Sequence, residues 1–228
     1  MVTLKEKLEN TLKTIENTAL AAGRSTADIT LIAVTKTVPV EKINEAISYG
    51  VRNIGENRVQ EALEKYPQIK EKVTWHLIGH LQSNKARQAV KIFDLIHSVD
   101  SLKLAGEISR QASALNKTQR ILIEVNISGE EAKFGVRQEE VPALLKEIGR
   151  LPNVRVEGLM TMAPFGADPA VIRNVFKGLH ELSRQILLAG WPGIEMKYLS
   201  MGMTQDYTIA IEEGANLLRV GTGIFGER

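Results

Sequence analysis

The residues that could do chemistry fall in two places. The first is a lysine, Lys36, at the end of the apolar run Ile29 to Val34. Burial penalises a charged amine, lowers its pKa and makes it a nucleophile toward aldehydes. A strand-terminal lysine that snorkels to water is the plainer reading. The second place is a pair of glycine-rich stretches near the C-terminus, Ser200-Met201-Gly202-Met203-Thr204 and Gly221-Thr222-Gly223. Glycine lets backbone N–H groups approach a phosphate, and each stretch adds a hydroxyl. Any single Gly-x-Gly is more often a tight turn. Arg219 lies two residues before Gly221 and serves either the site or a structural ion pair. An amine, a phosphate cradle and an arginine suit a ligand with an aldehyde at one end and a phosphate at the other. Pyridoxal 5'-phosphate (PLP) has that form. A Schiff-base enzyme acting on a sugar phosphate is the close rival.

The elements that must position these residues alternate along the chain. Strands are expected at 29–34, 53–57, 74–79, 94–99, 120–127, 154–160, 196–200 and 216–220, each followed by a helical pattern, the last one truncated. Leu4, Leu8, Leu12, Ile15 and Ala19 recur at helical spacing, so residues 1–23 form an extra amphipathic helix. Eight strand–helix units predict an α/β fold, a single (β/α)8 barrel of the TIM type spanning 1–228. Such a barrel carries its site at the C-terminal ends of the strands, with phosphate held after strands seven and eight. Both glycine stretches fall there. A doubly wound open sheet is disfavoured by Thr35-Lys36-Thr37, which stands where a glycine fingerprint would follow the first strand.

Composition narrows the classes. The 228 residues are 43% hydrophobic and 25% charged, with net charge +2 and no cysteine. No like-charged block would track nucleic acid, and no apolar stretch would span a bilayer. Disulfides and thiolate metal sites are excluded. The N-terminus lacks the apolar core of a signal peptide. The expected setting is cytoplasmic.

Several stretches go further and resemble one family. These are Ala33-Val34-Thr35-Lys36-Thr37, Gly55-Glu56-Asn57-Arg58-Val59-Gln60-Glu61, His76-Leu77-Ile78-Gly79-His80-Leu81-Gln82-Ser83-Asn84-Lys85, Leu199-Ser200-Met201-Gly202-Met203 and Arg219-Val220-Gly221-Thr222-Gly223-Ile224-Phe225-Gly226. They are similar to the motifs of the pyridoxal phosphate homeostasis protein family, from near residue 1 to the C-terminus. The resemblance implies a fold-type III barrel like the N-terminal domain of alanine racemase, with PLP held as a Schiff base on Lys36. It implies that Ser200, Gly202, Thr222 and Gly223 hold the phosphate, that Met201 also binds the cofactor, and that Arg219 approaches the pyridine nitrogen. It implies a role in PLP homeostasis and supply with little or no turnover. The expected recipients are apo-enzymes that require PLP. The expected state is a monomer, because the dimerising β domain of alanine racemase has no counterpart here.

The alternative is a slow amino-acid racemase. An arginine only donates hydrogen bonds, so a ring nitrogen beside it stays unprotonated and is a weak electron sink. Racemisation also needs an acid/base on the opposite face. Tyr49 and Tyr66 fall on outer helices, whereas Tyr198 and Tyr207 are expected nearer the rim. His76 either contacts the cofactor or is a hydrogen-bonded core residue. His76 and His80 have no third ligand, so metal binding is rejected. Asn57 lines the pocket or caps a helix, and Asn84 is expected to cap. Lys133, in the loop after the fifth strand, is either a second acceptor for PLP or a solvated lysine. Val38 stands where some relatives carry another lysine.

Overall fold

The computed structural model describes residues 2–130 and 134–227. Short apolar runs become strands because a parallel sheet covered by helices buries them on both faces. They are β1 (Thr30–Val34), β2 (Asn53–Glu56), β3 (Thr74–Leu77), β4 (Leu95–Val99), β5 (Gln119–Asn126), β6 (Val136–Arg137), β7 (Val154–Met160), β8 (Ile194–Met203) and β9 (Leu217–Val220). The helices are α1 (Leu4–Ala21), α2 (Val40–Ser48), α3 (Val59–Lys65), α4 (Ala86–Ile92), α5 (Leu102–Ser113), α6 (Val141–Ile148), α7 (Pro169–Ala189), α8 (Tyr207–Glu212) and α9 (Thr222–Phe225). The sheet runs β4-β3-β2-β1-β9-β8-β7-β5, and a β4–β5 pairing closes it. Every pairing is parallel, so eight strands form the expected (β/α)8 barrel. β6 is a two-residue strand paired with the C-terminal end of β5, at Val125 and Asn126.

The expected N-terminal helix is present, opened by a capping box between Thr3 and Glu6. Its buried face is Leu8, Thr11, Ile15 and Ala19, while Leu12 is 46% exposed and lies off that face. α1 packs on α8 and α9. The last strand is followed by only the four-residue α9. α1 therefore covers the barrel wall that a full eighth helix would otherwise cover. Arg24, just past α1, donates from Nη1 to the carbonyls of Ile211 and Ala215 at 2.7 and 2.8 Å, tying it to the end of α8.

Two cores result. The larger lies between sheet and helices, with Phe93, Phe176, Ile43 and Ile108 among its fully buried side chains. The smaller fills the barrel, where Ile32, Leu95, Leu122, Met160 and Leu217 meet. Gly158 marks a register shift between β7 and β8. Its φ is +151°, and a Cβ there would lie 2.0 Å from the Tyr198 carbonyl oxygen, so only glycine fits. Among the described residues no helix is long and apolar enough to cross a membrane.

Candidate functional site

A cavity of about 650 Å³ opens at the C-terminal ends of the strands. Of the residues singled out from the sequence, Lys36, Asn57, Thr204, Arg219, Gly221 and Thr222 line it, joined by Asp206. Its apolar wall includes Ile78, Met162, Pro164, Phe165, Ile172 and Met203. Phe165 stands 86% exposed at the rim.

Lys36 is not the last residue of its strand. β1 ends at Val34 and Lys36 sits in the turn beyond it, half-buried. The desolvation expected for a strand-terminal lysine is thus only partial. The turn is strained instead. Thr37, a β-branched residue, has φ +59°, a conformation that costs about 1–3 kcal/mol and persists only where surroundings hold it. The surroundings here are charged, and Glu56 and Lys65 among them are buried. The Lys65 ammonium donates to the Thr35 carbonyl (2.7 Å), Glu56 Oε1 (2.8 Å) and Glu61 Oε1 (2.6 Å). The Thr35 hydroxyl donates to Glu56 Oε1 at 2.6 Å, and the Thr37 N–H donates to Glu61 Oε1 at 2.5 Å. Both neighbours of Lys36 are therefore gripped by one cluster. Burial pushes the Glu56 carboxyl up, opposed by Lys65 and Thr35. Burial also opposes ionisation of Glu61, but Lys65 and the Thr37 N–H outweigh it and hold that carboxyl below its usual range. The sequence showed no role for Glu56 and Glu61 beyond their motif, and nothing in it pointed to Lys65. A lysine on an outer helix gives no sign that it is 7% exposed.

Arg219 points into the barrel and is 4% exposed. It pairs in register with Ile32 of β1, so Lys36 lies in the turn just past the end of the adjacent strand. Its Nη1 donates to Ser200 Oγ at 2.5 Å and its Nη2 to the Thr161 carbonyl at 2.9 Å. Burial lowers its pKa to about 10, against the pull of Asp206 and Glu124. It remains a cation at neutral pH.

The second glycine-rich stretch follows the last strand as expected, with Gly221 and Thr222 on the cavity, but the first is arranged differently from its sequence reading. β8 continues to Met203, beyond the expected end at Ser200. Ser200 is consequently inside the barrel, fully buried, and bonds to Arg219 and His97. Met201 faces the outer core. Gly202, with φ +92°, allows α8 to approach, since a Cβ there would lie 2.6 Å from Ala210 Cβ. None of these three lines the cavity, and neither does Gly223. The residue just past the strand, Thr204, does. Its Oγ1 accepts from the Gly221 and Gly223 N–H groups at 3.3 Å each, joining the two loops.

His76 is a core residue, hydrogen-bonded to His97 and Asn53, and is not among the cavity residues. Tyr198 is not near the rim: its hydroxyl accepts from Arg120 Nη2 at 3.2 Å, and Arg120 pairs with Glu157 at the opposite end of the barrel. Tyr207 begins α8 and does not line the cavity. Asn84 lies in a short 3-10 turn and caps nothing, because no side chain caps that turn or α4. Gly79 is needed because a Cβ would lie 2.4 Å from the Asn57 carbonyl oxygen. Lys133 lies outside the described residues.

A closed parallel barrel with a lysine and a buried arginine on one cavity at the strand ends defines a class. Residues 10–228 match the family of alanine racemase N-terminal domains. Alanine racemase of Clostridium difficile 630 shares the fold, with TM-score 0.77 at 17% identity over 98% of this chain and 57% of that one. Within the class, similarity is far higher to smaller proteins. The pyridoxal phosphate homeostasis protein of Aquifex aeolicus is 43% identical over 98% of this chain and 97% of its own length. That of Pseudomonas aeruginosa is 39% identical over 100% and 97%. PipY of Synechococcus elongatus PCC7942, solved with PLP bound, has TM-score 0.83 at 38% identity, covering 93% of this chain and 100% of that one. The chain belongs to the pyridoxal phosphate homeostasis protein family.

Proposed function

We propose that the protein binds PLP through a Schiff base on Lys36 and serves PLP homeostasis and supply, with little turnover of its own. The observation that carries this is the pairing of the Lys36 amine and the Arg219 guanidinium on one cavity whose loops also present Thr204, Thr222 and the Gly221 backbone. The donor set fits the group. An aldehyde meets an amine, an unprotonated ring nitrogen meets a donor-only cation, and a phosphate meets hydroxyls and backbone N–H groups. When bound, PLP supplies an aldehyde that condenses with amines and a ring that withdraws electrons. The residues limit the second property. Arg219 has no proton to give up at neutral pH, so the ring nitrogen beside it stays unprotonated. Among the described residues no tyrosine lines the cavity to act as an acid/base.

The proposed working form is the whole chain, 1–228, acting as a cytoplasmic monomer that passes PLP to apo-enzymes requiring it. Near-balanced charge and the lack of cysteine support the setting. Light scattering should return the mass of one chain, 25.2 kDa.

The test is the visible absorption of purified protein with added PLP, before and after borohydride, followed by peptide mass spectrometry. A yellow band that disappears on reduction, with a pyridoxyl group on Lys36, is expected, and Lys36→Ala should lose both. Protein that stays colourless with PLP overturns the reading and favours a phosphorylated sugar as ligand. Rapid solvent-deuterium uptake at Cα of an L-amino acid, lost in Lys36→Ala, would overturn the low turnover.

A further inference from the structure

A line of polar side chains, all buried except the half-buried Asn53, crosses the barrel beneath the cavity. Asn53 of β2, His76 of β3, His97 of β4, Ser200 of β8 and Arg219 of β9 form it. The His76 Nε2 to Asn53 Oδ1 distance is 3.1 Å, and His76 Nδ1 to His97 Nε2 is 2.9 Å. His97 Nδ1 lies 2.9 Å from Ser200 Oγ, which accepts from Arg219 Nη1 at 2.5 Å. The two imidazoles and Ser200 are at most 3% exposed, so each proton in the line must find its partner within it.

The arginine end fixes the direction. A guanidinium only donates, so Ser200 Oγ accepts from Arg219. Its single proton must then go to His97 Nδ1, because accepting from both neighbours would leave a buried hydroxyl proton without a partner. With Nδ1 accepting, His97 donates from Nε2 to His76 Nδ1. His76 donates from Nε2 to the Asn53 carbonyl oxygen. Every bond runs one way, from Arg219 to Asn53, and both imidazoles are neutral with the proton on Nε2.

We infer that Asn53, His76, His97 and Ser200 are positioning residues that hold the Arg219 guanidinium in one orientation toward the cavity. This rests on the PLP reading only for what Arg219 then meets. The chain makes Ser200 a better acceptor for Arg219, because a hydroxyl that donates is polarised toward accepting. A second cation in the line would reverse a bond and repel Arg219. Burial holds both imidazoles neutral: His76 is lowered to about 3 by burial and Arg120, and His97 well below its usual value by burial, His76, Arg219 and Arg120. The Thr161 carbonyl fixes the second arm of the fork, and rigid two-point support of this kind makes a recognition group specific.

Two measurements test it. The first needs no cofactor. A long-range 1H–15N spectrum of protein labelled with 15N-histidine should show His76 and His97 neutral and protonated on Nε2 at pH 7. An Nδ1–H tautomer or an imidazolium at either overturns the relay. The second uses PLP. Ser200→Ala removes the acceptor of Arg219 and should weaken PLP binding about tenfold, the loss of one hydrogen bond to a charged group. It should also change the visible band of the bound cofactor, while Ser200→Thr, which keeps the hydroxyl, restores both. Folded Ser200→Ala protein with unchanged affinity and band overturns the positioning role. Wild-type protein that fails to take up PLP sinks the PLP reading alone, and the histidine tautomers still decide the relay.

Discussion

Lys65 holds its ammonium among three oxygens, those of Thr35, Glu56 and Glu61, so Lys65→Met tests what supports the Lys36 turn. Removing one partner of a buried pair costs about 3–5 kcal/mol, since the remaining charge stays buried without compensation. Glu56 is the charge at issue: its side chain is fully buried, and its Oε2 has no hydrogen-bond partner. A loss of that size is a large share of a stability of about 5–15 kcal/mol. It should lower the thermal midpoint by roughly 6–20 °C for a chain of this length. The sign with pH follows from Glu56. Burial already raises its pKa, and loss of Lys65 raises it further. Its contribution is present below the unfolded carboxylate value and lost as pH rises through the folded one. The gap between variant and wild type should therefore be wider at pH 8 than at pH 5, measured by urea unfolding at both. The double variant Lys65→Met/Glu56→Gln should recover much of the loss, because the amide keeps the Thr35 hydroxyl bond without a charge. An unchanged midpoint in Lys65→Met, or a double variant no more stable than the single, would refute the clamp.

Three further outcomes follow from other sites. Gly158→Ala forces a Cβ against the Tyr198 carbonyl at φ +151° and should cost about 3 kcal/mol or more in denaturant unfolding. Glu124, buried near Asp100 and Arg219, has its carboxyl pushed up from 4.5 to about 7, chiefly by burial. Its contribution is complete below pH 4.5 and lost as pH rises through about 7, so Glu124→Gln should gain up to about 3 kcal/mol over wild type at pH 8 and little at pH 4. Thr204→Val leaves the Gly221 and Gly223 N–H groups without their shared acceptor and should weaken PLP binding about tenfold in a spectroscopic titration, with the Lys36 linkage retained.

The sequence by itself determined the barrel and two residues that line its candidate site. Strand periodicity and helical spacing are local, and eight alternations leave few ways to close a parallel sheet. Lys36 and Arg219 were legible because each sits at a fixed offset from an apolar run, and both reach the cavity. The choice of hydroxyl was not legible. Ser200 and Thr204 stand in the same glycine-rich stretch, yet Thr204 lines the cavity and Ser200 lies inside the barrel, because β8 runs to Met203 and its register with β9 shifts between Ser200 and Met203. Counting alternation from the expected strand end therefore fails. The Asn53–His76–His97–Ser200–Arg219 line joins five strands, with His97 and Ser200 103 positions apart, and no window along the chain contains it. Lys65 likewise reads as an ordinary outer-helix lysine until α3 lays it over Glu56 and the Thr35 carbonyl. α1 stands before the first strand in sequence but completes the helix ring beside the last. Local pattern sets which residues face inward. Which inward-facing groups then meet depends on strand register and closure, which only the folded barrel decides.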